Sequence, residues 1–457
     1  MYRIFVLMWR EDDATQHSAA KTISSALLSD SRAWHRVTIA PGFNAFEAGT
    51  PSFHGRSCVL RDDAAVLGNL FTGNCPDTFA LVHERPDEAE CERIIDSAGQ
   101  RLVSGYWGQY VAVLRSRDGN ACHVLRDPSG ALPCYLTSHL GLHIVFSHVH
   151  DLANLKLVPL TINPNALHAI ACGLQLHSGE TIANGVIEVQ AGQCISLRNG
   201  RSEARRLWDP VEIAGKPSLR NMQQVMSQLR QTVIGSIHAL SSCHQSIVHL
   251  LSGGVDSSIV ASCLKSSPTR ADLVCINRYT VAAEGDERRY ARLTAQHISC
   301  ELLEQPAEGH NVRLSQAPPV RLTMLPAFYF AELSNGAFEQ SIAVGREATA
   351  IFQGGGGDGA FLQNGAEYAV RDYIFLNGIR PGVIAVAHDA AKITKGFTVS
   401  QLIDGIRAGK KLPRWTHPLI AQLQENEFIN PEVLRSLKEH ERDYIYPPLL
   451  VSCPGDS

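Results

Sequence analysis

The sequence predicts a protein of two parts, an α+β first part with antiparallel sheets and an α/β second part built on a parallel sheet. Residues 1–207 are rich in short β-type runs closed by turn residues, with hairpin signals at Asp118-Gly119 and Asn199-Gly200. From residue 219 to residue 457 apolar strands alternate with helical patterns, as in βαβ units. The stretch 208–218 (WDPVEIAGKPS) carries two prolines and a glycine and is predicted to be the linker between two domains.

Composition narrows the class of protein. A chain of 457 residues with 44% hydrophobic and 19% charged residues is too long for one ordinary core and is globular in character. A formal net charge of −4 gives no reason to expect a nucleic-acid partner. No apolar run is long enough to span a membrane, and the N-terminus lacks the basic region of a secretory signal. The 12 cysteines contain no C-x-x-C pair and are expected to be reduced, which indicates a cytoplasmic protein.

Individual elements follow from residue patterns. In the first part the strands are predicted at residues 3–8, 110–114, 123–125, 143–146 and 193–197, and helices at 92–102 and 164–172. The second part begins with a helix whose apolar residues recur at three- and four-residue steps between Met222 and Leu240. Strands at 245–251, 273–276 and 348–352 then alternate with helices at 257–264 and 286–297.

The stretch His249–Val260, HLLSGGVDSSIV, is the strongest chemical signal. It lies between a predicted strand and a predicted helix, where parallel α/β sheets bind their ligands. Gly253 and Gly254 permit close backbone approach, and the first turn of the following helix offers unpaired N–H groups to an anion. The serine hydroxyls, among them Ser252 and Ser257, can add hydrogen bonds. The loop is therefore predicted to bind phosphate groups.

Asp256 indicates that the phosphate binds together with a divalent cation. A carboxylate inside a phosphate site repels its ligand unless a divalent cation lies between them, and Mg²⁺ is typically held by one or two carboxylates and by phosphate oxygens. A second loop, Gln353–Phe361 (QGGGGDGAF), follows another predicted strand and brings Asp358. We therefore expect Asp256 and Asp358 to hold Mg²⁺ on a pyrophosphate group from two strand ends. The loop is not a Walker A motif, because the G-K-[ST] ending is missing.

These motifs resemble known enzymes. Residues 252–257 match every fixed position of the S-G-G-x-D-S loop of PP-loop ATP pyrophosphatases, and QGGGGDGAF is similar to the S-G-E-G-x-D-E-L loop of asparagine synthetases. Residues 125–135 (LRDPSGALPCY) resemble the R-D-x-x-G-x-x-P-L-Y segment of their glutaminase domain, and residues 146–152 (FSHVHDL) resemble the element that follows it. VLGNLF (66–71) and YWGQYVAVL (106–114) look most like the macrolactam synthetases that close lasso peptides.

The resemblance implies an Ntn-type, glutaminase-like first domain and a PP-loop, HUP-like ATP pyrophosphatase as the second. It implies that Asp256, Asp358 and Ser252 act in catalysis, with Mg²⁺ on the two aspartates. The implied nucleotide-binding residues are Leu251, Ser252, Gly253, Gly254, Val255, Asp256, Ser257, Ile276, Gln353, Gly354 and Gly355.

Three departures from the family shape the expected chemistry. Active glutaminases of this type use a cysteine at position 2, where this chain has Tyr2, so ammonia release from glutamine is not expected. Gly355 stands where asparagine synthetases have a glutamate and β-lactam synthetase a tyrosine, so this position supplies no general base. The family's domain also runs on past the equivalent of residues 449–457 and carries a phosphate-binding lysine there. That lysine is expected to be absent, and the nearest basic residues are Lys410, Lys411 and Arg414.

The predicted function is an ATP-dependent macrolactam synthetase. It would adenylate an Asp or Glu side chain of a precursor peptide, join it to the peptide's N-terminal amine, and release AMP and pyrophosphate. The resemblance also implies a leader-binding protein and a protease as partners. Three alternatives stay open: a small-molecule amide synthetase of asparagine or β-lactam type, a tRNA-modifying PP-loop enzyme, and a degenerate homologue without turnover.

Two further groups receive structural interpretations. Asp286 and Glu287 begin a predicted helix, where acidic side chains suit the helix dipole, with a metal-binding role as the alternative. Arg126 and Asp127 are predicted to form a structural ion pair in the first domain.

Overall fold

The computed structural model describes residues 2–29, 34–49, 57–73, 79–82, 84–156, 158–171, 179–198, 200–214, 221–280, 286–306, 322–324, 330–357, 366–394, 397–400 and 402–403. The described chain forms two compact units, one within residues 1–353 and one within residues 354–440.

Two antiparallel sheets form the first part of the larger unit. Their strands are β1 (Arg3–Met8), β2 (His35–Ala40), β3 (Phe43–Ala48), β4 (Cys58–Arg61), β5 (Ala64–Thr72), β6 (Ala80–Leu81), β7 (Tyr106–Arg115), β8 (Ala121–Arg126), β9 (Tyr135–His139), β10 (Leu142–Phe146), β11 (Val186–Glu188), β12 (Gln193–Arg198) and β13 (Arg201–Arg206). The six-stranded sheet has the order β11-β9-β10-β1-β3-β2. The seven-stranded sheet has the order β13-β12-β8-β7-β5-β4, with β6 paired to β5.

The sheets pack face to face, and helices cover their outer faces. Side chains from β1, β3 and β10 of one sheet and from β5, β7 and β8 of the other share one buried core. On the outer side of the six-stranded sheet lie α1 (Ala14–Ser29) and α4 (Val149–Leu155), and on that of the seven-stranded sheet lie α2 (Glu88–Asp96) and α3 (Gln100–Gly105). Because both faces are covered, β5 is buried at eight of its nine positions. The predicted α+β part with antiparallel sheets is confirmed.

One predicted helix of this part is wrong in extent. Residues 92–102 do not form a single helix, because α2 ends at Asp96 and α3 begins at Gln100. The break is at Gly99, whose φ is +89° and where an added Cβ would lie 2.8 Å from Cδ2 of Leu125. The predicted hairpins are present: β7 pairs with β8 around Gly119, and β12 pairs with β13 around Gly200. Asn199 itself lies outside the described residues.

Three further described helices of the larger unit lie between α4 and β14 in the sequence. They are α5 (Pro164–Ala171), α6 (Pro210–Ala214) and α7 (Met222–Ser241). The short α6 falls inside the stretch predicted as a linker, and residues 215–218 of that stretch lie outside the described residues. α7 follows the predicted apolar repeat, and the side chain of its N-cap residue, Asn221, accepts a hydrogen bond from the N–H of Gln223 at 2.9 Å.

A parallel sheet forms the second part of the larger unit, as predicted. Its strands are β14 (Ser246–Leu250), β15 (Asp272–Tyr279), β16 (Glu301–Pro306) and β17 (Ala350–Gln353), in the order β16-β15-β14-β17. Connecting helices are α8 (Val255–Ser266), α9 (Arg288–His297) and α10 (Phe330–Gly345). The register places Leu250, at the end of β14, between Ile276 of β15 and Gln353 of β17. Three strands therefore present their carboxyl ends at one edge of the sheet.

In the smaller unit the described residues form mainly two helices. They are α11 (Ala366–Asn377) and α12 (Gly382–Thr394), which pack through Val370, Val383 and Ala387. Among the helices of the described chain, none has both the length and the apolar character that crossing a membrane requires.

Candidate active site

The predicted phosphate-binding loop connects β14 to α8 at the carboxyl edge of the parallel sheet. Leu251 still belongs to the sheet, since its N–H donates to the carbonyl of Ile276 at 2.9 Å. Gly254 is the N-cap of α8, with φ −70° and ψ 166°, and no side chain caps the helix there. The N–H groups of Val255, Asp256 and Ser257 are therefore left without intrahelical partners at the positive end of the helix dipole. This arrangement favours an anion, as the sequence predicts.

The serine hydroxyls of the loop bond mainly to the loop itself. Ser257 Oγ donates to the carbonyl of Gly254 at 3.1 Å, so its contact with Ser252 Oγ at 2.9 Å requires Ser252 to be the donor. Ser252 Oγ in turn accepts from the N–H of Gly254 at 3.1 Å. A chain of hydroxyls therefore fixes the turn. In this state the single hydroxyl hydrogen of Ser252 is used inside the loop.

The two glycines differ in how strictly the structure requires them. Gly253 has φ +105°, and a Cβ there would lie 2.7 Å from the carbonyl oxygen of Glu287 and 3.2 Å from the nitrogen of Ala291. At Gly254 a Cβ would meet only Ser252 Oγ, at the ordinary distance of 3.4 Å. The close approach of the loop to α9 therefore depends on Gly253.

Two buried polar side chains of the sheet hold the loop, and neither is among the site residues that the sequence predicts. Asn277 Nδ2 of β15 donates to the carbonyls of Leu251 at 2.7 Å and Ser252 at 3.1 Å. His249 Nε2 of β14 lies 2.9 Å from the carbonyl of Ser257, so Nε2 must carry the proton. Burial lowers the pKa of His249 and favours its neutral form. The available signal was a polar residue within each of the apolar runs IVHLL and LVCIN.

Asp256 is the candidate cation ligand of this loop. It lies in the first turn of α8 and is partly exposed. No described residue forms a hydrogen bond or an ion pair with its carboxylate, so its oxygens are available to a cation next to the free N–H groups. Within the described ranges no three His, Cys, Asp or Glu side chains gather as a metal site. Phosphate oxygens usually complete the ligands of a Mg²⁺ ion that is held by one or two carboxylates.

The second acid of the predicted site, Asp358, lies outside the described residues, and so do Lys410, Lys411 and Arg414. The pairing of Asp256 with Asp358 stays a prediction. Gln353 is the exposed last residue of β17, level with Leu250. Gly354 and Gly355 follow it and belong to the smaller unit.

Leu251 and Ile276, which the family resemblance places beside the nucleotide, are core residues in this structure. Leu251 is 0% exposed and packs with Ala261 of α8 and Ala291 of α9, whereas Ile276 is 1% exposed and packs on the opposite face with Val248. Their contact with a nucleotide stays a prediction.

The acids that begin α9 have structural roles. Asp286 accepts a bifurcated hydrogen bond from Arg288 Nε and a further hydrogen bond from Nη2, and this ion pair lowers the pKa of Asp286 to about 2. The Arg288 guanidinium also lies 3.8 Å from the ring centroid of Tyr279. Glu287 is the N-cap residue of α9, and its backbone forms the wall against which Gly253 packs.

Tyr2 is part of a hydrogen-bonded cluster in the first part of the chain. Its hydroxyl donates to Glu47 Oε2 at 2.7 Å and lies 2.9 Å from Ser57 Oγ, and His35 Nε2 lies 2.9 Å from the other oxygen of Glu47. Burial, the largest cause, and the charge of Glu47 raise the pKa of Tyr2 well above its usual value. The phenol therefore stays protonated and cannot act as the nucleophile that a thiolate would be.

The predicted pairing of Arg126 with Asp127 is wrong. Arg126 pairs with Glu188 at 2.8 Å and donates to the carbonyls of Gly130, Leu132 and Val189. Asp127 instead accepts from the N–H groups of Tyr110 at 3.1 Å and Ser129 at 2.7 Å. The two side chains therefore bind different groups and do not bind each other.

One stretch of the chain matches the model of a known protein family. Residues 228–375 match the asparagine synthase family model. This range contains the loop, α8, β15, α9 and β17. The match supports an asparagine synthetase-like protein and an ATP-dependent amide ligase as its activity. Comparison with curated protein sequences gave no significant match.

Several solved structures are loosely similar to this chain. Glutamine phosphoribosylpyrophosphate amidotransferase from B. subtilis, complexed with ADP and GMP, is 11% identical, with a TM-score of 0.27 over 77% of this chain and 90% of its own. The NH3-dependent NAD synthetase from Campylobacter jejuni is 13% identical, with a TM-score of 0.20 over 49% and 94%. A glutamine-dependent NAD+ synthetase from Acinetobacter baumannii, in complex with ADP, is 9% identical, with a TM-score of 0.24 over 74% and 80%. At these TM-scores the likeness carries no conclusion about this chain.

Proposed function

We propose that this protein is an ATP-dependent peptide macrolactam synthetase that works in the cytoplasm. It activates an Asp or Glu side chain of a precursor peptide as an acyl-adenylate and joins it to the N-terminal amine of the same peptide. The observation that carries the proposal is the β14–α8 loop, whose unpaired N–H groups and partner-free Asp256 carboxylate lie together at the carboxyl edge of a parallel sheet. The family match over the same residues supports amide formation.

The loop suits the departure of pyrophosphate. When the peptide carboxylate attacks the α-phosphorus of ATP, negative charge develops on the leaving pyrophosphate. The N–H groups of Val255–Ser257 are fixed before the reaction by the hydroxyl chain of the loop, so they stabilise that charge without reorganising. Asp256 would hold Mg²⁺ against the same phosphate oxygens, and the ion would supply further charge neutralisation. Ser252 would hold the turn and would donate to phosphate only by giving up its bond to Ser257.

The second step needs an amine that does not come from glutamine. Tyr2 is protonated and engaged with Glu47, which supports a first domain without glutaminase activity. A peptide α-amine has a pKa of about 7.7–8.0, so roughly a tenth of it is neutral at pH 7 without a general base. Holding both ends of one peptide in a closed site raises their effective concentration and can lower the activation barrier by several kcal/mol. A general base at Gly355 is therefore not required.

Magnesium-dependent exchange of labelled pyrophosphate into ATP tests the adenylation step. We expect exchange that requires an added precursor peptide and a peptide product lighter by one water. Asp256→Asn should abolish exchange. The matched control is Asp272→Asn, since Asp272 is an exposed acid at the opposite edge of the same sheet and should leave exchange unchanged.

Other outcomes point to the alternatives. Exchange driven by free aspartate would favour a small-molecule amide synthetase, and ATP binding without any exchange would favour a non-catalytic homologue. Either result would overturn the macrolactam proposal. Partner proteins that bind the leader peptide and cleave it would be tested by adding the products of neighbouring genes to the same assay.

A further inference from the structure

Asn277 connects the second strand of the parallel sheet to the loop. It follows Ile276 in β15 and is 1% exposed. Its Nδ2 donates to the carbonyls of Leu251 at 2.7 Å and Ser252 at 3.1 Å. The reverse orientation of the amide would place its oxygen against both carbonyls, which would repel it. The hydrogen bonds therefore define which atom faces the loop.

This contact determines where the loop's own N–H groups point. In a trans peptide the C=O and the following N–H point in opposite directions. Because Asn277 holds the carbonyls of Leu251 and Ser252 toward β15, the N–H groups of Ser252 and Gly253 point away from that strand. No described residue accepts a hydrogen bond from either N–H. They extend the row of free donors that begins in the first turn of α8.

The other end of the Asn277 side chain argues against a purely structural role. Its Oδ1 is buried and has no hydrogen-bond partner among the described residues. An unpaired buried acceptor destabilises the folded state, whereas an apolar side chain of similar shape would not. The unpaired oxygen is therefore a cost of placing an amide N–H₂ beneath the loop.

We propose that Asn277 is a positioning residue that turns the peptides of Leu251 and Ser252 so that the loop presents its N–H groups to the phosphates of ATP. The proposal rests on the proposed function and adds a residue that acts through the loop. Asn277 itself touches the loop backbone and not the reacting atoms.

Two variants separate this role from ordinary packing. Asn277→Asp keeps the shape of the side chain, removes the two donors and puts a carboxylate against two carbonyls. Asn277→Ala removes the donors without adding charge. The matched control is Val274→Ala, because Val274 is also 1% exposed, lies on the same strand and packs away from the loop. Each protein is compared by urea unfolding, by Mg²⁺–ATP titration and by hydrogen exchange of the loop amides without nucleotide.

We expect Asn277→Asp and Asn277→Ala to weaken Mg²⁺–ATP binding at least tenfold and to speed exchange of the Gly254 and Ser258 amides, which are the hydrogen-bonded amides of the turn. Val274→Ala should lose stability but bind ATP within twofold of wild type. If the Asn277 variants bind ATP no worse than Val274→Ala does, the positioning role is overturned while the proposed function stands. If the wild-type protein does not bind Mg²⁺–ATP, the proposed function fails, and this inference fails with it.

Discussion

Replacing Gly253 by alanine would place a methyl group where the structure has no space for it. The new Cβ would lie 2.7 Å from the carbonyl oxygen of Glu287 and 3.2 Å from the nitrogen of Ala291. Both atoms belong to the backbone at the start of α9 and cannot rotate away as the end of a flexible side chain could. The loop must therefore move away from α9, or α9 must move.

The expected magnitude has two parts. An L-residue held in the left-handed region costs about 1–2 kcal/mol. Forcing a methyl group into a filled space adds about 1–3 kcal/mol. We therefore expect Gly253→Ala to lower the free energy of unfolding by about 2–5 kcal/mol if the loop stays in place. Displacement of the loop would relieve part of this, and ATP affinity would then fall by at least about tenfold, or about 1.4 kcal/mol.

Gly119→Ala is the matched control, because alanine there also has a positive φ but its methyl group collides with no other atom. Gly119 has φ +69°, and a Cβ added there would have no atom within 4 Å of it. This variant should lose about 1–2 kcal/mol and bind ATP like wild type. Urea unfolding and ATP titration on the same samples measure both quantities. The reasoning would be refuted if Gly253→Ala lost no more stability than Gly119→Ala and kept its ATP affinity.

Three further predictions concern side chains outside the phosphate loop itself. Tyr2→Phe removes the hydrogen bond to Glu47 and should lower the free energy of unfolding by about 1–2 kcal/mol without changing ATP affinity; equal stability in urea would contradict this. Burial lowers the pKa of His249 in the folded protein below its value of about 6.5 in the unfolded chain. The folded protein therefore keeps its full stability above about pH 6.5 and loses stability as the pH falls, because the unfolded chain binds the proton more readily. Wild type should therefore lose stability below about pH 6.5 more steeply than His249→Gln, by at most about 1.4 kcal/mol per pH unit, and parallel pH profiles of unfolding would refute the assignment. Arg126→Met leaves the carboxylate and carbonyl partners of a buried cation unpaired and should cost about 3–5 kcal/mol, whereas Arg198→Met, at an exposed pair, should cost less than about 1 kcal/mol in the same urea assay.

Much of the fold could be predicted because its signals are local. The apolar run of β14 and the alternating strands and helices after it need no knowledge of their neighbours. The break between α2 and α3 could not be predicted in the same way. It depends on Gly99 packing against Leu125, which is distant in sequence and comes close only when α3 covers the seven-stranded sheet. The partner of Arg126 was missed for a similar reason, since Glu188 lies 62 residues away in the sequence.

The same distinction applies to the candidate site. The residues of the SGGVDS loop could be identified because their spacing is itself the signal. Asn277 and His249 could not be identified, because they act across the sheet. Only the register that pairs Leu250 with Ile276 brings the Asn277 amide under the carbonyl of Leu251. A polar residue at the end of an apolar strand is a weak signal until its neighbouring strand is known.

Gly253 and Asn277 should be coupled, because both act on the same short piece of backbone. Gly253 lets the loop approach α9, and Asn277 orients the two peptides immediately before that point. Once alanine at position 253 has displaced the loop, the Asn277 amide no longer orients the same N–H groups. Removing the amide then causes a smaller further loss of ATP affinity. Variants that are independent add within about 0.3–0.5 kcal/mol, whereas residues that share contacts do not. In a double-mutant cycle of ATP binding, Gly253→Ala with Asn277→Ala should therefore lose less affinity than the sum of the single losses. Strict additivity would mean that the two residues support ATP binding separately, and that the loop is not the element through which Asn277 acts.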